Sequence, residues 1–379
     1  MSKLEQLIQQ YCPDGVEYVK LDSVCSVMRG KRLTKSQLTS DGKYKVFHGG
    51  IEPIGFYDEW NREGNTTMVI NVGASAGTIG YSSEKFWSSD GCFCLSQSNL
   101  ISGKFLFYYF QTIEGYLMSK VRRAGIPTLD GKILEDLIIP VPPLPVQEEI
   151  VRVLDAFTEL QAELQAELQK RLQQYNYYRD NLLSFYGRTD VQWKKLGDVA
   201  YYVKNRVNDS LITISNYVSV ENLLQNRQGK TNASSVPDGS LIHYESGDIL
   251  IGNIRPYLKK IWLANGDGGT NGDVLTIRVN RELLTPEFLY QCLASDDFFQ
   301  YDMNHAKGAK MPRGSKEDVL NYMIPITSLA EQQKIVAILD RFDTLTNDLT
   351  SGLPAEMEKR RQQYEFYRDK LLTFKRKEA

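Results

Sequence analysis

Four clusters of arginine and lysine are the strongest candidates for binding residues in this sequence. Cationic side chains bind phosphate oxygens and can reach base edges. Two clusters lie in each half of the chain, one early and one late. They are Arg29, Lys31, Arg32 and Lys35; Lys120, Arg122 and Arg123; Arg255, Lys259 and Lys260; and Lys307, Lys310, Arg313 and Lys316. Any one cluster could be ordinary solvated charge. Their paired placement favours a binding role.

The overall charge does not by itself indicate a nucleic-acid-binding protein. The chain has 45 lysine and arginine residues against 47 aspartate and glutamate residues, a formal net charge of −2. Proteins that bind phosphate backbones usually carry a basic excess, so the distribution of charge matters more here than its sum. With 379 residues, 42% of them hydrophobic and 24% charged, the chain can form two or three globular domains.

Motifs for catalysis are absent from the sequence. The Asn/Asp-Pro-Pro-Tyr/Phe motif of amino-methyltransferases is missing, since residues 142–144 read Pro-Pro-Leu. There is no P-loop for nucleotide hydrolysis, and the glycines of NVGASAGTIG (71–80) have the wrong spacing for a dinucleotide fingerprint. A tight turn between two strands explains those glycines better. The sequence therefore does not indicate an enzyme that acts alone.

The cysteines and the N-terminal residues bear on metal binding and location. An odd, scattered set of cysteines predicts reduced, buried thiols: Cys12, Cys25, Cys92, Cys94 and Cys292. Because Cys92 and Cys94 are too close together for an ordinary zinc knuckle, we expect no metal site. No apolar run reaches the ~18 residues of a membrane span. The opening MSKLEQLIQQY is amphipathic and unlike a signal peptide, so we expect a cytoplasmic protein.

An internal repeat organises the chain. QQYNYYRDNLLSF (173–185) returns as QQYEFYRDKLLTF (362–374), and IVRVLDAF (150–157) returns as IVAILDRF (335–342). The separation grows from 185 to 189 residues along the helix, because the second copy contains one more four-residue unit. Between the matched ends the two globular segments hardly resemble each other. A shared frame with two different inserts fits this pattern.

Each copy ends in a long amphipathic segment. Apolar and aromatic residues recur from residue 150 to 182 with a mean step of about 3.6, the α-helical period. A helix of about forty residues would be about 60 Å long and needs a partner for its apolar stripe, which the second copy supplies. Gly352 and Pro354 predict a kink or break in the second helix. We also expect the N-terminal segment to pack beside the last helix.

The globular segments are predicted to be mixed α/β. Strand-like runs at 66–72, 248–254 and 273–279 are rich in valine and isoleucine, and helices are predicted at 105–121 and 285–301. Two globular domains would then form a pseudo-twofold tandem repeat, separated by two long antiparallel coiled-coil helices. The predicted boundaries are 1–145 for the first domain with its short N-terminal helix, 146–186 for the first helix, 187–330 for the second domain and 331–379 for the second helix.

Over essentially its full length, the sequence resembles the specificity subunit of type I restriction-modification systems. The resemblance rests on the repeated IVxxLDxF and QQYxxYRDxLL segments, the four-residue spacer units, and the stretches CPDGVEYVKL (12–21), LGDV (196–199), PLPVQEEI (143–150) and SLAEQQKI (328–335). It implies that the globular domains are target-recognition domains, each reading half of a bipartite asymmetric site in double-stranded DNA. The helices would set the spacing between the half-sites.

The resemblance also implies partners and cofactors. The helices would dock two modification subunits, which bring S-adenosylmethionine, and motor-nuclease subunits would bring ATP hydrolysis and Mg²⁺. No cofactor is expected on this chain. Helix-packing surface with polar edges that contact a partner is expected at Tyr175, Tyr178, Arg179, Asp180, Tyr364, Tyr367, Arg368 and Asp369.

Side chains that donate to base edges are the expected DNA contacts. In the first domain these are Arg29, Lys31, Arg32, Lys35, His48, Arg122 and Arg123. In the second domain they are Lys204, Asn205, Arg206, Tyr217, Arg255, Tyr257, Lys259, Lys260, Lys310 and Arg313. A coiled-coil adaptor that joins two binding modules is the alternative, but it would not explain two divergent basic inserts. A free-standing modification enzyme would need the missing methyl-transfer motifs.

Overall fold

The computed structural model describes residues 2–185, 187–347 and 351–378, and it confirms the mixed α/β fold. The elements of the first half are α1 Lys3–Tyr11, β1 Tyr18–Lys20, β2 Val27–Arg29, β3 Tyr44–Phe47, β4 Pro53–Tyr57, β5 Thr66–Ile70, β6 Ile79–Ser82, β7 Trp87–Ser88, β8 Cys92–Leu95, α2 Gly103–Thr112, α3 Glu114–Ser119, α4 Gly131–Glu135, β9 Ile138–Pro140 and α5 Leu144–Ser184.

The second half follows with a similar order of strands and helices. Its elements are β10 Gln192–Lys195, α6 Leu196–Val199, β11 Ala200–Tyr202, β12 Arg206–Asn208, β13 Tyr217–Val218, β14 Ser240–Tyr244, β15 Ile249–Gly252, β16 Ile261–Leu263, β17 Gly268–Thr270, β18 Val274–Val279, α7 Pro286–Leu293, α8 Asp296–His305, α9 Lys316–Asn321, β19 Met323–Ile326, α10 Leu329–Asn347 and α11 Leu353–Leu371.

The chain forms two compact units, and α5 contributes to both. The first unit comprises residues up to Glu163 together with those from Glu358 onwards, and the second comprises Leu164–Met357. This division cuts across α5, so it neither supports nor contradicts the boundaries predicted from the sequence. Those boundaries stay a prediction.

Each unit is built around an antiparallel four-stranded sheet of the same topology. The strand order is β2-β8-β5-β6 in the first unit and β11-β18-β15-β16 in the second. A second sheet, β4-β3-β7 or β12-β14-β17-β13, lies in the same unit. The central strands β5 and β15 are buried along their whole length, which explains their continuous runs of apolar and threonine residues. The predicted strands are thereby confirmed.

A short strand pair closes each unit in the same register. Tyr18 of β1 lies opposite Pro140 of β9, and Trp193 of β10 lies opposite Pro325 of β19. These residues are also the ones that the sequence repeat aligns. The repeat is therefore structural, since aligned positions make the same backbone pairs in both units.

A buried glutamine ties the start of each long helix to the globular part of its unit. The side-chain amide of Gln147 donates to the carbonyl oxygens of Leu100 and Pro142, and its oxygen accepts from Ser102 N–H at 2.9 Å. In the second unit, Gln332 donates to the carbonyl oxygens of Leu283 and Thr327, and its oxygen accepts from Thr285 N–H at 3.0 Å. Both glutamines are completely buried, so these bonds satisfy amides that water cannot reach.

An aromatic cluster holds the long helices together within each unit. One phenylalanine of the IVxxLDxF segment packs against two tyrosines of the YxxYRD segment. The clusters are Phe157 with Tyr364 and Tyr367, at centroid distances of 6.5 and 5.5 Å, and Phe342 with Tyr175 and Tyr178, at 6.1 and 5.2 Å. The tyrosine-rich segments are therefore helix-packing surface, as the sequence indicated.

The first long helix is confirmed, whereas the second is divided. Helix α5 runs without interruption over 41 residues, and Pro145 is tolerated because it lies in the first turn. The second helix was predicted to have a kink or break, and the structure has two helices there, α10 Leu329–Asn347 and α11 Leu353–Leu371, with Ser351 and Gly352 not helical. Gly352 and Pro354 predicted this break, because Gly favours a helix end and Pro a first turn. Residues 348–350 of the spacer lie outside the described residues.

Two further predicted helices are each divided into a pair. The segment 105–121 forms α2 and α3, and the segment 285–301 forms α7 and α8. In the second case Ser295 caps a new helix, since its hydroxyl accepts from Phe298 N–H. Capping serines interrupt a helix because the side chain competes for backbone hydrogen bonds. The apolar periodicity continued across this interruption and concealed it.

The two ends of the described chain pack together within the first unit. Val16 N–H donates to Lys375 O at 2.8 Å, and Lys377 N–H donates to Val16 O at 3.0 Å. Leu4 of α1 belongs to the same buried apolar cluster as Leu372. The expected packing of the N-terminal segment beside the last helix is confirmed.

All five cysteines are free and buried, as the sequence predicted. No helix among the described residues is long and apolar enough to cross a membrane.

We predict that Gln332→Leu lowers the free energy of unfolding by about 2–4 kcal/mol, because one buried N–H and two carbonyl oxygens lose their partner. Urea denaturation followed by circular dichroism measures this. The matched control is Gln333→Leu, whose side chain is exposed and whose effect should stay within about 0.5 kcal/mol. Equal effects of the two substitutions would contradict the role given to the buried amide.

Candidate nucleic-acid interface

In the first unit, two predicted contacts meet at the turn between β7 and β8. Arg29, at the end of β2, donates from Nε to the backbone oxygen of Asp90 at 3.2 Å. His48 Nδ1 lies 3.1 Å from Ser89 Oγ and 3.4 Å from Asp90 Oδ1. Both side chains keep part of their surface in solvent. The turn therefore brings one guanidinium and one imidazole close together.

Gly30 allows this close approach. A Cβ atom at that position would lie 2.1 Å from Ser89 O and 2.3 Å from Ser88 O, both backbone atoms that cannot move aside. Lys31 follows directly, with its backbone oxygen accepting from the indole N–H of Trp87 and its side chain exposed. The glycine of this basic cluster thus has a packing function, and the cations on either side of it are displayed together.

Most residues of the late basic cluster of each half lie in the same structural element. We call residues 122–128 and 307–313 the two basic loops. Arg122 and Thr128 exchange two backbone hydrogen bonds of 2.9 and 3.1 Å, and Lys307 and Arg313 exchange two of 2.9 Å. Each loop is followed by a short helix, α4 or α9. An exposed apolar residue lies near each tip, Ile126 and Met311.

Both basic loops are bonded in the same way to the segment that follows the central strand of their unit. Gly73 N–H donates to Pro127 O at 2.9 Å, and Arg255 N–H donates to Pro312 O at 2.7 Å. Gly73 and Arg255 both have positive φ, 92° and 55°, and this conformation favours glycine. Arginine at such a position carries conformational strain, which supports a functional reason for its side chain.

Asp273 orients Arg313, a partly exposed cation of the second basic loop. Arg313 Nη1 donates to Asp273 Oδ1 at 2.8 Å, and both side chains remain substantially exposed, 55% and 38%. Nearby, Asn271 donates to the Tyr217 hydroxyl. Tyr217, Asn271 and Asp273 line a polar cleft of about 450 Å³. Tyr217 itself is buried, so it forms a wall of this cleft and offers no free ring face for stacking.

Other predicted contacts are bound inside the second unit. Lys259 Nζ forms an ion pair with Asp296 at 2.8 Å, and Arg227 pairs with the same carboxylate. Lys260 Nζ donates to Val220 O, and burial lowers its pKa. The Lys259–Lys260 cluster is therefore largely occupied by internal bonds, which sequence reasoning could not detect.

The remaining predicted contacts are exposed at separate places. Lys204, Asn205 and Arg206 lie at and before β12, where Arg206 donates to Ser240 O at 3.1 Å. The described contacts do not join this group to the second basic loop. Exposed positions are also occupied by Arg32, Lys35, Arg123, Tyr257 and Lys310. All of these stay candidate contacts.

The predicted partner-contact residues separate into buried and exposed groups. Tyr175 and Arg179 are buried, and Arg179 donates to Ala294 O. Arg368 pairs with Asp369 at 2.8 Å. Two exposed aromatic residues of the same tyrosine-rich segments were not selected from the sequence. They are Tyr177 and Phe366, which are 66% and 62% exposed. The repeat could have revealed them, since they are aligned positions.

A buried carboxylate lies beneath the second basic loop. Asp302 is 1% exposed, and neither of its oxygens has a hydrogen-bond partner among the described residues. It packs against Gly314, where a Cβ atom would approach within 2.3 Å of Asp302 Oδ1 and 2.8 Å of Asn253 Oδ1. Burial raises the pKa of Asp302 to about 6, and the charge of His305 opposes this rise. Among the described residues, no group of three or more His, Cys, Asp or Glu side chains could hold a metal ion.

The chain belongs to the family described as the type I restriction modification DNA specificity domain, which matches it twice, over residues 13–174 and 189–359. These two matches correspond to the two copies of the repeat. The family suggested by the sequence motifs is thereby confirmed.

Relatives and solved structures agree with this membership. A type I restriction enzyme specificity subunit from Escherichia coli is 32% identical over 295 residues, which are 73% of this chain and 72% of the relative. A putative type I restriction enzyme specificity subunit from Haemophilus influenzae is 27% identical, with 98% of both chains covered. The crystal structure of a type I restriction-modification S subunit from M. genitalium has the same fold, with a TM-score of 0.63 at 17% identity over 94% of this chain and 96% of that one.

We predict that Asp302→Asn stabilises the protein near pH 7. Burial raises the folded-state pKa of Asp302 to about 6. The protonated carboxyl therefore contributes stability below about pH 4, and this contribution is lost as the pH rises through about 6. The difference corresponds to roughly 3 kcal/mol. Thermal unfolding of both proteins between pH 4 and pH 7.5 measures it. If the difference in melting temperature between Asp302→Asn and the wild type does not grow as the pH rises, the raised pKa is contradicted.

Proposed function

We propose that this chain is the DNA sequence-recognition subunit of a type I restriction-modification complex, and that each unit reads one half of a bipartite, asymmetric site. The observation that carries this proposal is the pair of basic loops. They are built on identical backbone bonds, yet they display different side chains at aligned positions, such as Thr128 and Arg313. One frame that presents two different surfaces suits two different half-sites.

The chain has no catalytic role of its own in this proposal. Methyl transfer and DNA cleavage belong to partner subunits, because the sequence lacks the motifs for both. S-adenosylmethionine would be bound by two modification subunits, and ATP with Mg²⁺ by motor-nuclease subunits. This chain supplies positioning: its side chains select the site, and the partners act on the bases nearby. The complex would work in the cytoplasm, where its DNA substrate lies.

Equivalent exposed aromatic pairs are the docking sites that we assign to the modification subunits. Tyr177 packs edge-on against Tyr178 in the second unit, and Phe366 packs edge-on against Tyr367 in the first. Rigid aromatic side chains are typical anchors of protein interfaces. Because the repeat places the same pair in each unit, the two sites would bind two copies of one partner.

The proposed function is tested by sequencing methylated positions in cells that produce this chain with its modification subunits. We expect one bipartite, asymmetric motif, and no methyl transfer or DNA cleavage by the isolated chain. A continuous motif, or turnover by the chain alone after its mass and purity are verified, would contradict the proposal.

For docking, we predict that Tyr177→Ala lowers the affinity of one modification subunit about 30-fold, which corresponds to a hot-spot loss of about 2 kcal/mol. Native mass spectrometry should then show complexes with one bound modification subunit, and none once Phe366→Ala is added. The control is Lys170→Ala, a substitution of an exposed residue on the same helix as Tyr177. This variant should still bind two modification subunits. Full occupancy in the double variant would place the docking surface elsewhere.

A further inference from the structure

Arg313 has the position and chemistry to recognise one particular base. The backbone around it is fixed on three sides: by the two bonds with Lys307, by the bond from Arg255 N–H to Pro312 O, and by a bond from Gly314 N–H to Asn253 O at 3.1 Å. Gly314 also packs so tightly that no Cβ atom would fit. The Cα atom of Arg313 therefore cannot shift freely when DNA binds.

The guanidinium of Arg313 is oriented and still available. Its Nη1 donates to Asp273 Oδ1 at 2.8 Å, and this is the hydrogen bond that its side chain makes among the described residues. Guanidinium has five N–H donors in a planar fork. More than half of the side chain is exposed, so donors remain for a ligand. The carboxylate reduces the rotamer freedom that binding would otherwise remove.

The neighbouring cations named next do not combine a fixed orientation with a planar set of exposed donors. Lys259 and Arg227 share Asp296, and Lys260 is bonded to a backbone oxygen. Lys310 is exposed in the same loop, but a lysine ammonium is a point charge without a planar fork. Lysine in such a loop suits a phosphate, whereas an oriented arginine suits two adjacent acceptors in one plane.

We propose that Arg313 reads a guanine in the half-site of the second unit, and that Asp273 is the residue that positions it. Guanine presents N7 and O6 as paired acceptors in the major groove, and a bidentate arginine matches them. The proposal rests on the proposed function, because it names the base that one residue of that surface selects. The first unit lacks this device: Thr128 occupies the aligned position, so its half-site is read by other side chains.

The test uses the complete complex with its modification subunits in cells, and the readout is the methylated motif. With Arg313→Ala, one G·C position in one half-site should accept all bases, with a loss of discrimination of about 5- to 150-fold. Asp273→Asn should relax the same position to a smaller degree. Lys310→Ala is the matched control and should weaken methylation at all sites without changing the motif.

A second readout isolates the contact itself. Duplexes carrying 7-deazaguanine at the relaxed position lack the N7 acceptor. The wild-type complex should bind them more weakly than it binds the guanine duplex. The Arg313→Ala complex should bind the two duplexes with equal affinity. If the Arg313→Ala chain fails to assemble with its partner subunits, Asp273→Asn provides a second variant for the same test, because it keeps the size of the side chain.

The outcomes separate the two proposals. If the wild-type complex gives no bipartite motif, the proposed function fails. If the wild-type motif is bipartite but Arg313→Ala leaves it unchanged, relaxes an A·T position or weakens all sites uniformly, only the guanine assignment is overturned. A change in Arg313→Ala that Asp273→Asn does not share, even partly, would overturn the positioning role of Asp273.

Discussion

The buried amides of Gln147 and Gln332 are the interaction on which the rest of the architecture depends. Each amide joins the first turn of a long helix to the segment before α2 or α7, and it also binds a backbone oxygen just before its own helix. Three hydrogen bonds in a fully buried position are costly to lose, because water cannot replace them. Helix and recognition surface are thereby held as one piece in each unit, and a helix that sets spacing must be attached in this way.

Around these amides, the structure separates what is repeated from what differs. Strand pairs, aromatic clusters and the backbone of the basic loops are the same in both units. The side chains displayed on them are not: the first unit orients Arg29 and His48 at its Asp90 turn, and the second orients Arg313 with Asp273. A net charge of −2 is compatible with DNA binding because several cations are neutralised internally while others are displayed at defined places.

Sequence periodicity predicted the frame well, because the frame is made of local patterns. The 3.6-residue stripe identified α5, and Gly352 with Pro354 indicated the break before α11. The division of 285–301 into α7 and α8 was missed, since the capping action of Ser295 depends on local geometry that the apolar pattern hides. Tyr217 was selected as a contact by residue type, yet its ring is buried.

The candidate site was harder to predict, because tertiary partners decide which charges are available. Lys259 is paired with Asp296, a residue distant in sequence, and no spacing rule connects them. Asp273 was overlooked for the same reason, although it orients Arg313. By contrast, the equivalence of the two basic loops was visible in the sequence: Ala124 and Pro127 recur as Ala309 and Pro312. Alignment of the copies beyond their ends would have found it.

The most direct test of the central claim, that the frame sets the spacing while the units read the bases, is deletion of residues 165–168 from α5. Removing this four-residue unit shortens the helix by about 6 Å and rotates its far end by about 40°, while Leu164 and Leu172 keep the apolar stripe continuous. Sequencing of methylated DNA in cells that contain the altered complex gives the motif. We predict the same two half-sites, with the gap between them shorter by about one or two base pairs. An active complex with unchanged spacing, or with altered bases in either half-site, would contradict this account.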